Sequence, residues 1–214
     1  MNKMIKMMSV FALMLSAVVL ANAQAVTNGT VDFDVSVQPA FDLRADGPAT
    51  ASPGVSVNSQ TANAALGTTI TISDASPNVN NATLTASAPI RMRSNAQYKL
   101  TALRSGSSTP SGPDFESSDI KMGITYTTRS GANVNTGGSD TAESGWGVSP
   151  TKTVGDLTGS ALKIAGGDRI SNGGNNLSTD NFVQASLNFS VARAYYTPIN
   201  NYTDQVTVAI VAGP

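Results

Sequence analysis

The chain has 214 residues, of which 13 are basic and 14 acidic, and it contains neither histidine nor cysteine. Without these two residue types a chain has no Ser-His-Asp or Cys-His nucleophile system and no ordinary zinc or copper site. The charges are scattered, so no basic cluster is present to bind nucleic acid phosphates or anionic lipid headgroups. We therefore expect a protein without catalysis, metal, cofactor or nucleic acid partner.

The first 23 residues are predicted to be a cleaved export signal. Lys3 and Lys6 form a short basic region, an apolar run follows from Met7 to Leu20, and Ala21-Asn-Ala23 has the small residues of a cleavage site. The apolar run is too short for a comfortable membrane span, and no stop-transfer pattern follows it. We expect residues 24–214 to form one mature domain, exported through the general secretory pathway and secreted or held at the cell surface.

A strand is predicted near the start of the mature chain, between Thr30 and Val37. Every second position is apolar and the positions between are polar; the apolar ones are Val31, Phe33, Val35 and Val37. This period of two indicates a half-buried strand. Pro39 forbids simple continuation as a central strand, and residues 45–48 have turn chemistry. Such a strand needs a partner, in its own domain or in a neighbour.

Short extended runs separated by turn residues follow as far as residue 127. Their alternation of apolar and polar side chains predicts half-buried strands. The predicted strands are Val55–Val57, Leu66–Ser73 with Ile70 and Ile72 inward, Ala82–Ala88, Ile90–Met92, a strand with Tyr98, Leu100 and Ala102 inward, and Asp119–Thr127 with Ile120, Met122, Ile124 and Tyr126 on one side.

Two looser segments, residues 104–118 and 128–159, are rich in glycine, serine, asparagine and threonine. Structureless loops this long are uncommon inside compact domains. Either they contain short strands, with Val148 and Val154 to Leu157 as candidates, or they form exposed functional excursions. We favour the short strands.

The last third alternates again, and its composition completes the fold prediction. Strands are predicted at Ala161–Ile164, from Ile170, at Phe182–Val191 and at Tyr202–Ala212, where Val206, Val208 and Ile210 share one face. Roughly nine or ten short strands, with no helical period outside the leader, predict an all-β chain. We expect a single antiparallel β-sandwich, immunoglobulin-like or pilin-like, over residues 24–214.

Trp146 stands between two glycines in the second loose segment. If it is exposed, it would stack on a sugar or anchor a partner protein. If it is buried, it would pin the loop to the domain. The pair Tyr195-Tyr196 offers the same two alternatives.

The acidic residues offer only weak candidate sites. Asp114, Glu116 and Asp119 are the nearest cluster for two-carboxylate hydrolysis, but they lie in a serine- and proline-rich loop, where we expect solvated side chains. Asp32 and Asp34 share one strand face and would suit calcium. We favour outward polar positions of an edge strand, where charge deters edge-to-edge aggregation.

Two patches resemble exported bacterial surface proteins. Val35-Ser-Val-Gln-Pro-Ala-Phe-Asp-Leu-Arg-Ala-Asp-Gly47 is similar to the N-terminal region of cysteine-free fimbrial major subunits of the alpha-fimbria type. The stretch from Tyr202 to Ile210 resembles the closing strand of several secreted β-sandwich families, including spore-coat-U-like and pilin-like proteins.

The fimbrial resemblance implies an incomplete immunoglobulin-like sandwich, completed by the N-terminal extension of the next subunit after a periplasmic chaperone has filled the gap. The donor would be roughly Ala25 to Val37, and the acceptor groove would border the strand Tyr202–Ala212, with backbone hydrogen bonds providing affinity. We therefore expect a structural surface subunit that self-associates through edge strands. The alternative is a secreted module that binds a surface glycan or a protein through Trp146.

Overall fold

A computed structural model describes residues 39–52, 55–62, 64–72, 83–105, 117–171, 181–192 and 202–214. All of them belong to the second of two units into which the chain divides, Met1–Val37 and Gln38–Pro214. The predicted leader and the predicted strand between residues 30 and 37 lie outside the described residues.

The described residues are nearly all β-structure, as the alternating sequence predicts. No helix among them is long and apolar enough to cross a membrane. The strands are β1 (Phe41–Ala45), β2 (Thr50–Ala51), β3 (Val55–Ala62), β4 (Ala65–Ile72), β5 (Thr83–Ser94), β6 (Tyr98–Arg104), β7 (Ile120–Ser130), β8 (Asp140–Ala142), β9 (Leu162–Gly167), β10 (Phe182–Ala192) and β11 (Tyr202–Ala212), and a short 3-10 helix spans Val154–Asp156.

The strands form two antiparallel sheets. The first sheet has the order β1-β5-β10-β7, with β2 also paired to β5, and the second has the order β3-β4-β11-β6-β9-β8. β1 and β2 pair with successive parts of β5. Pro89 of β5 lies between these two paired parts, and it has no N–H to donate to a neighbouring strand. The chain bends away there, and the Asp46 N–H donates to the Pro89 carbonyl at 2.9 Å.

One hydrophobic core is built from inward-facing side chains of both sheets. Alternation within β4, β6, β7, β10 and β11 supplies most of these side chains, because every second residue of a strand points to the same face. Each large apolar side chain contributes about 1.5–3 kcal/mol when fully buried. The largest are Leu43, Leu66, Ile70, Ile90, Met92, Tyr98, Leu100, Ile120, Met122, Ile124, Leu157 and Tyr202.

The strand predictions are confirmed for β4, β10 and β11, whereas those for the second loose segment are wrong. Val148 is 77% exposed, and Val154–Asp156 forms the 3-10 helix instead of a strand. The short strand hidden in this segment is β8, which the composition does not single out. The strand predicted to begin at Ile170 does not form within the described residues. Ser171 instead makes an isolated bridge with Val134.

Two further boundaries differ from expectation. The predicted strands at Ala82–Ala88 and Ile90–Met92 form one twelve-residue strand, β5. β1 forms between Pro39 and the predicted turn at residues 45–48, where no strand is predicted. Leu43 points into the core, while Asp42 and Arg44 point outward. Phe41, Leu43 and Ala45 share the inner face, but five residues are a short pattern from which to predict a strand.

The turn between β3 and β4 places a non-glycine residue in left-handed backbone geometry. Residues 63 and 64 connect Ala62 to Ala65, which are paired with each other, and Ala64 has a φ of 63°. Two-residue hairpin turns favour glycine in this region, because a Cβ there crowds the following carbonyl. The geometry is maintained by the ladder and by the Ala64 carbonyl, which accepts a hydrogen bond from the Ile210 N–H at 3.0 Å.

We expect Ala64→Gly to raise the free energy of unfolding by about 0.5–1 kcal/mol, because relief of left-handed strain exceeds the added chain entropy of the unfolded state. Ala62→Gly, at an exposed and extended position of the same hairpin, should lower it by about the same amount. Urea denaturation of both variants tests this. A loss of stability in both would contradict the strain.

Candidate assembly edges

The residues predicted to form an acceptor groove lie in the interior of the second sheet. Val206 and Val208 have no exposed surface, and Ile210 is 2% exposed. Between Val206 and Ala209 β11 pairs with β4 on one side and with β6 on the other. In this conformation a donated strand finds no unpaired edge there. The predicted donor positions, Val31, Phe33, Val35 and Val37, lie outside the described residues.

Among the described strands, β1 and the two-residue β2 form one edge of the first sheet and β7 the other, while β3 and β8 form the edges of the second. A strand at the end of a sheet exposes backbone N–H and C=O groups to which another chain can pair. Which of these edges is available depends on what lies against it.

The β7 edge is covered by the segment from residue 145 to residue 153. The Ile124 N–H donates to the Trp146 carbonyl at 2.6 Å, and the Met122 N–H donates to the Lys152 carbonyl at 3.1 Å. Gly123 lies directly beneath this segment, and a Cβ at that position would overlap the Gly147 carbonyl oxygen. The covering segment therefore prevents strand addition along this half of β7.

Trp146 is buried, with 4% of its surface exposed. The backbone N–H of Trp146 donates to the Glu143 carbonyl at 2.9 Å, and the Trp146 carbonyl accepts a bond from β7. Of the two alternatives that the sequence leaves open, the structure shows the one in which the tryptophan pins the loop. An indole ring buried to this degree has no free face for a sugar.

A buried ion pair joins β8 to β7 of the other sheet. Arg129 of β7 and Asp140 of β8 each have 8% exposed side chains, and two bonds of 2.7 and 2.8 Å join them. Arg129 also donates to the carbonyls of Asn135 at 2.8 Å and Arg169 at 3.1 Å. Bidentate, charge-assisted hydrogen bonds of this kind are strong, so both flanking loops are fastened to β7.

Tyr98 of β6 completes this cluster. Its hydroxyl donates to Asp140 Oδ1 at 2.7 Å. Burial, together with Tyr126 and the Asp140 carboxylate, raises the pKa of Tyr98 far above its ordinary value, so the hydroxyl remains a donor. Gly167 packs against the cluster, and a Cβ there would come within 2.7 Å of the Ser139 carbonyl oxygen. We call Tyr98, Arg129 and Asp140 the tyrosine–arginine–aspartate cluster.

A second buried ion pair lies between β6 and β11. Asp204 has no exposed side-chain surface and accepts bonds from Arg104 Nε at 2.8 and 3.0 Å and from the Tyr202 hydroxyl at 2.7 Å. Burial and the neighbouring Asp204 carboxylate raise the pKa of Tyr202. Sequence reasoning missed this pair. The available signal was an aspartate at an inward position of the last strand.

The β1 edge is short and charged. β1 has five residues, and Asp42 accepts bonds from Arg44 at 2.8 Å and from Arg93 Nε at 2.9 Å. Charged side chains on a short edge strand discourage pairing with another chain.

The β3 edge differs from the other three. β3 has eight residues, Val-Ser-Val-Asn-Ser-Gln-Thr-Ala, and none of them is charged. Since Ala62 and Ala65 flank a two-residue turn, they form a hydrogen-bonded pair, and bonding to β4 then alternates along the strand. The N–H and C=O groups of Val57 and Ser59 consequently point away from β4, and no described strand pairs with them.

Both ends of β3 are held in place. The Val55 N–H donates to the Ser52 carbonyl at 3.0 Å, and Thr61 Oγ1 accepts a bond from the Ala45 N–H at 3.3 Å. Val55 and Val57 are partly buried against the core. The middle of β3 is thus a positioned, uncharged and unpaired edge within the described part of the chain.

The described residues contain no group of three or more acidic side chains close enough to hold a metal ion. Asp119 is exposed, while Asp114, Glu116, Asp32, Asp34, Tyr195 and Tyr196 lie outside the described residues.

Comparison with known proteins found no matching family model, no matching curated protein and no matching solved structure. The resemblance to fimbrial and spore-coat-U-like proteins therefore stays a prediction from the two sequence patches.

Proposed function

We propose that this protein is an exported structural subunit of the cell surface that self-associates by β-strand addition. The acceptor is the outer edge of β3, and the donor is the alternating segment from Thr30 to Val37 of another copy. The two sheets then form an immunoglobulin-like or pilin-like sandwich completed between subunits. The proposal assigns the protein no catalytic role.

The observation that carries the proposal is the uncharged β3 edge. Natural proteins protect long edge strands with charges, prolines, bulges or a covering segment. Here β7 is covered and β1 is charged, whereas β3 presents the backbone groups of Val57 and Ser59 without such protection. An edge left open in this way suits pairing with an added strand.

The proposed donor matches this edge in length and pattern. Residues 30–37 number as many as the eight residues of β3. The side chains of Val55, Val57 and Ser59 face the core side of β3, and the alternating apolar residues of the donor would continue that face.

Disulfide trapping tests the proposal cleanly, because the natural chain has no cysteine. Asn58 is exposed and points to the solvent face of β3. We expect Asn58→Cys, combined with one of Asp32→Cys, Asp34→Cys or Ser36→Cys, to give a ladder of covalent multimers on a non-reducing gel. Only one register brings the two Cα atoms within the roughly 4.4–6.8 Å that a disulfide requires.

The matched control is Thr203→Cys, at an exposed position of the interior strand β11, with the same three donor cysteines. It should give no ladder. Equal ladders from Asn58→Cys and Thr203→Cys, or no cross-link in any of the three combinations, would overturn the proposal. A disulfide that forms within a single chain would show that the donor strand pairs in its own domain, and it would also overturn the proposal.

A further inference from the structure

An open cleft of about 790 Å³ lies where β1 begins. Its walls come from β1, from the turn between β3 and β4, from the end of β5, and from Ser171 and Asn181. Ligand sites in proteins typically have volumes of about 300–1,000 Å³ and present a few converging polar groups. Thr61 of β3 also lines the cleft, but Val57 and Ser59, whose backbone groups form the proposed acceptor edge, do not.

The charged groups of the described cleft lining carry a net positive charge. They are Arg44, Arg93 and Asp42. Partial burial works to raise the pKa of Asp42, but the hydrogen bonds from Arg93 and Arg44 outweigh it and hold the pKa below its ordinary value. The single carboxylate is therefore ionised at neutral pH and shared between two guanidinium groups.

Asp42 also orients Arg44. The carboxylate Oδ1 accepts a bond from Arg44 Nε at 2.8 Å, while the Arg44 side chain remains 49% exposed. The two terminal amino groups of Arg44 make no hydrogen bond to any described residue. A guanidinium held through Nε presents this terminal edge in a geometry that matches a carboxylate in a bidentate manner.

The lining of the cleft includes a buried hydroxyl without a hydrogen-bond partner among the described residues. Ser171 is 3% exposed, and its Oγ has no hydrogen-bond partner. Most buried side-chain polar atoms are hydrogen-bonded, because an unsatisfied one costs free energy. Asn181 is 2% exposed and uses its Oδ1 to accept a bond from the Asn133 N–H at 2.9 Å. The half-buried ring of Phe41 supplies an apolar wall.

We propose that this cleft binds a carboxylated sugar of the hexuronic acid class. The terminal edge of Arg44 binds the carboxylate. The Asn181 amide and the Ser171 hydroxyl form hydrogen bonds with ring hydroxyls, and Phe41 packs against the apolar face of the sugar ring. Amide and hydroxyl groups beside the terminal edge of Arg44 suit a ligand with many hydroxyls and one acid group better than a peptide chain.

Glucuronic acid and glucose form a matched pair of probes, since they differ in the carboxylate alone. In calorimetric titrations of the mature chain, residues 24–214, we expect saturable binding of glucuronate that is about tenfold tighter than binding of glucose, as one carboxylate–arginine contact would give. Arg44→Gln should reduce glucuronate binding about tenfold. Arg91→Gln, on β5 outside the described lining, should leave it unchanged.

Ser171→Ala provides a second readout that separates binding from structure. Removing a buried unpartnered hydroxyl should raise the melting temperature, yet weaken glucuronate binding. Absence of saturable glucuronate binding, equal binding of glucose, or no effect of Arg44→Gln would overturn the proposal. Binding of a peptide with a free carboxyl terminus, but of neither sugar, would overturn the assignment to a sugar.

Discussion

Replacing Arg129 with methionine is expected to lower the free energy of unfolding by about 3–5 kcal/mol, the usual cost of leaving one charge of a buried ion pair without its partner. Asp140 would remain 8% exposed and would keep only neutral donors such as the Tyr98 hydroxyl. The carbonyls of Asn135 and Arg169 would each lose one of their donors and keep the Gly138 N–H and the Asn135 side-chain amide respectively. Urea denaturation followed by circular dichroism measures the change.

Lys163→Met is the matched control. It removes the same kind of charge from the Lys163–Glu143 pair, whose side chains are 39% and 43% exposed. Such surface pairs contribute about 0–1 kcal/mol. A similar small loss for Arg129→Met would mean that the tyrosine–arginine–aspartate cluster does not hold the two sheets together. In a chain without cysteine, this cluster is our candidate for the role that a disulfide plays in many exported domains.

Phe33→Asp is expected to abolish self-association and leave a soluble, folded monomer. In the proposed assembly Phe33 would enter the core of another copy beside β3, and an unpaired carboxylate there carries a desolvation penalty of several kcal/mol. The remaining unit, Gln38–Pro214, contains both sheets and their core. Size-exclusion chromatography together with a melting curve measures the two effects separately.

Asp32→Asn is the control for this variant, because it changes a neighbouring residue on the opposite face of the same predicted strand. It should leave assembly intact. If Phe33→Asp instead unfolds the monomer, the strand pairs within its own domain and the donor assignment is wrong. If Phe33→Asp assembles as the natural chain does, the segment takes no part in self-association.

The strands that alternation predicts best are the long strands that bury one face. β11 was predicted with its exact ends, Tyr202 and Ala212, and Ile120, Met122 and Ile124 of β7 face the core as expected. These strands are long and bury one face completely, so the apolar period extends over several residues. β1 and β8 have only five and three residues and lie at sheet ends, so an apolar period extends over few positions.

Side-chain partners that are far apart in the chain were not predictable from local pattern. Arg104 and Asp204 are 100 residues apart, and each alone resembles an ordinary polar position in a strand. Pairing order decides that these two residues meet, because β6 and β11 become neighbours only in the folded sheet. The burial of Trp146 likewise depends on its segment lying along β7, which its flanking glycines do not indicate.

The amino-acid sequence by itself determined the class of fold and the chemistry that is absent. A period of two favours strands, and a chain without histidine or cysteine cannot perform the reactions that need them. Only the tertiary structure decided which edges are closed, which charges are buried and where a cleft opens. These properties depend on which strands become neighbours. Backbone hydrogen bonds between strands are compatible with many strand orders, and side-chain packing selects one of them.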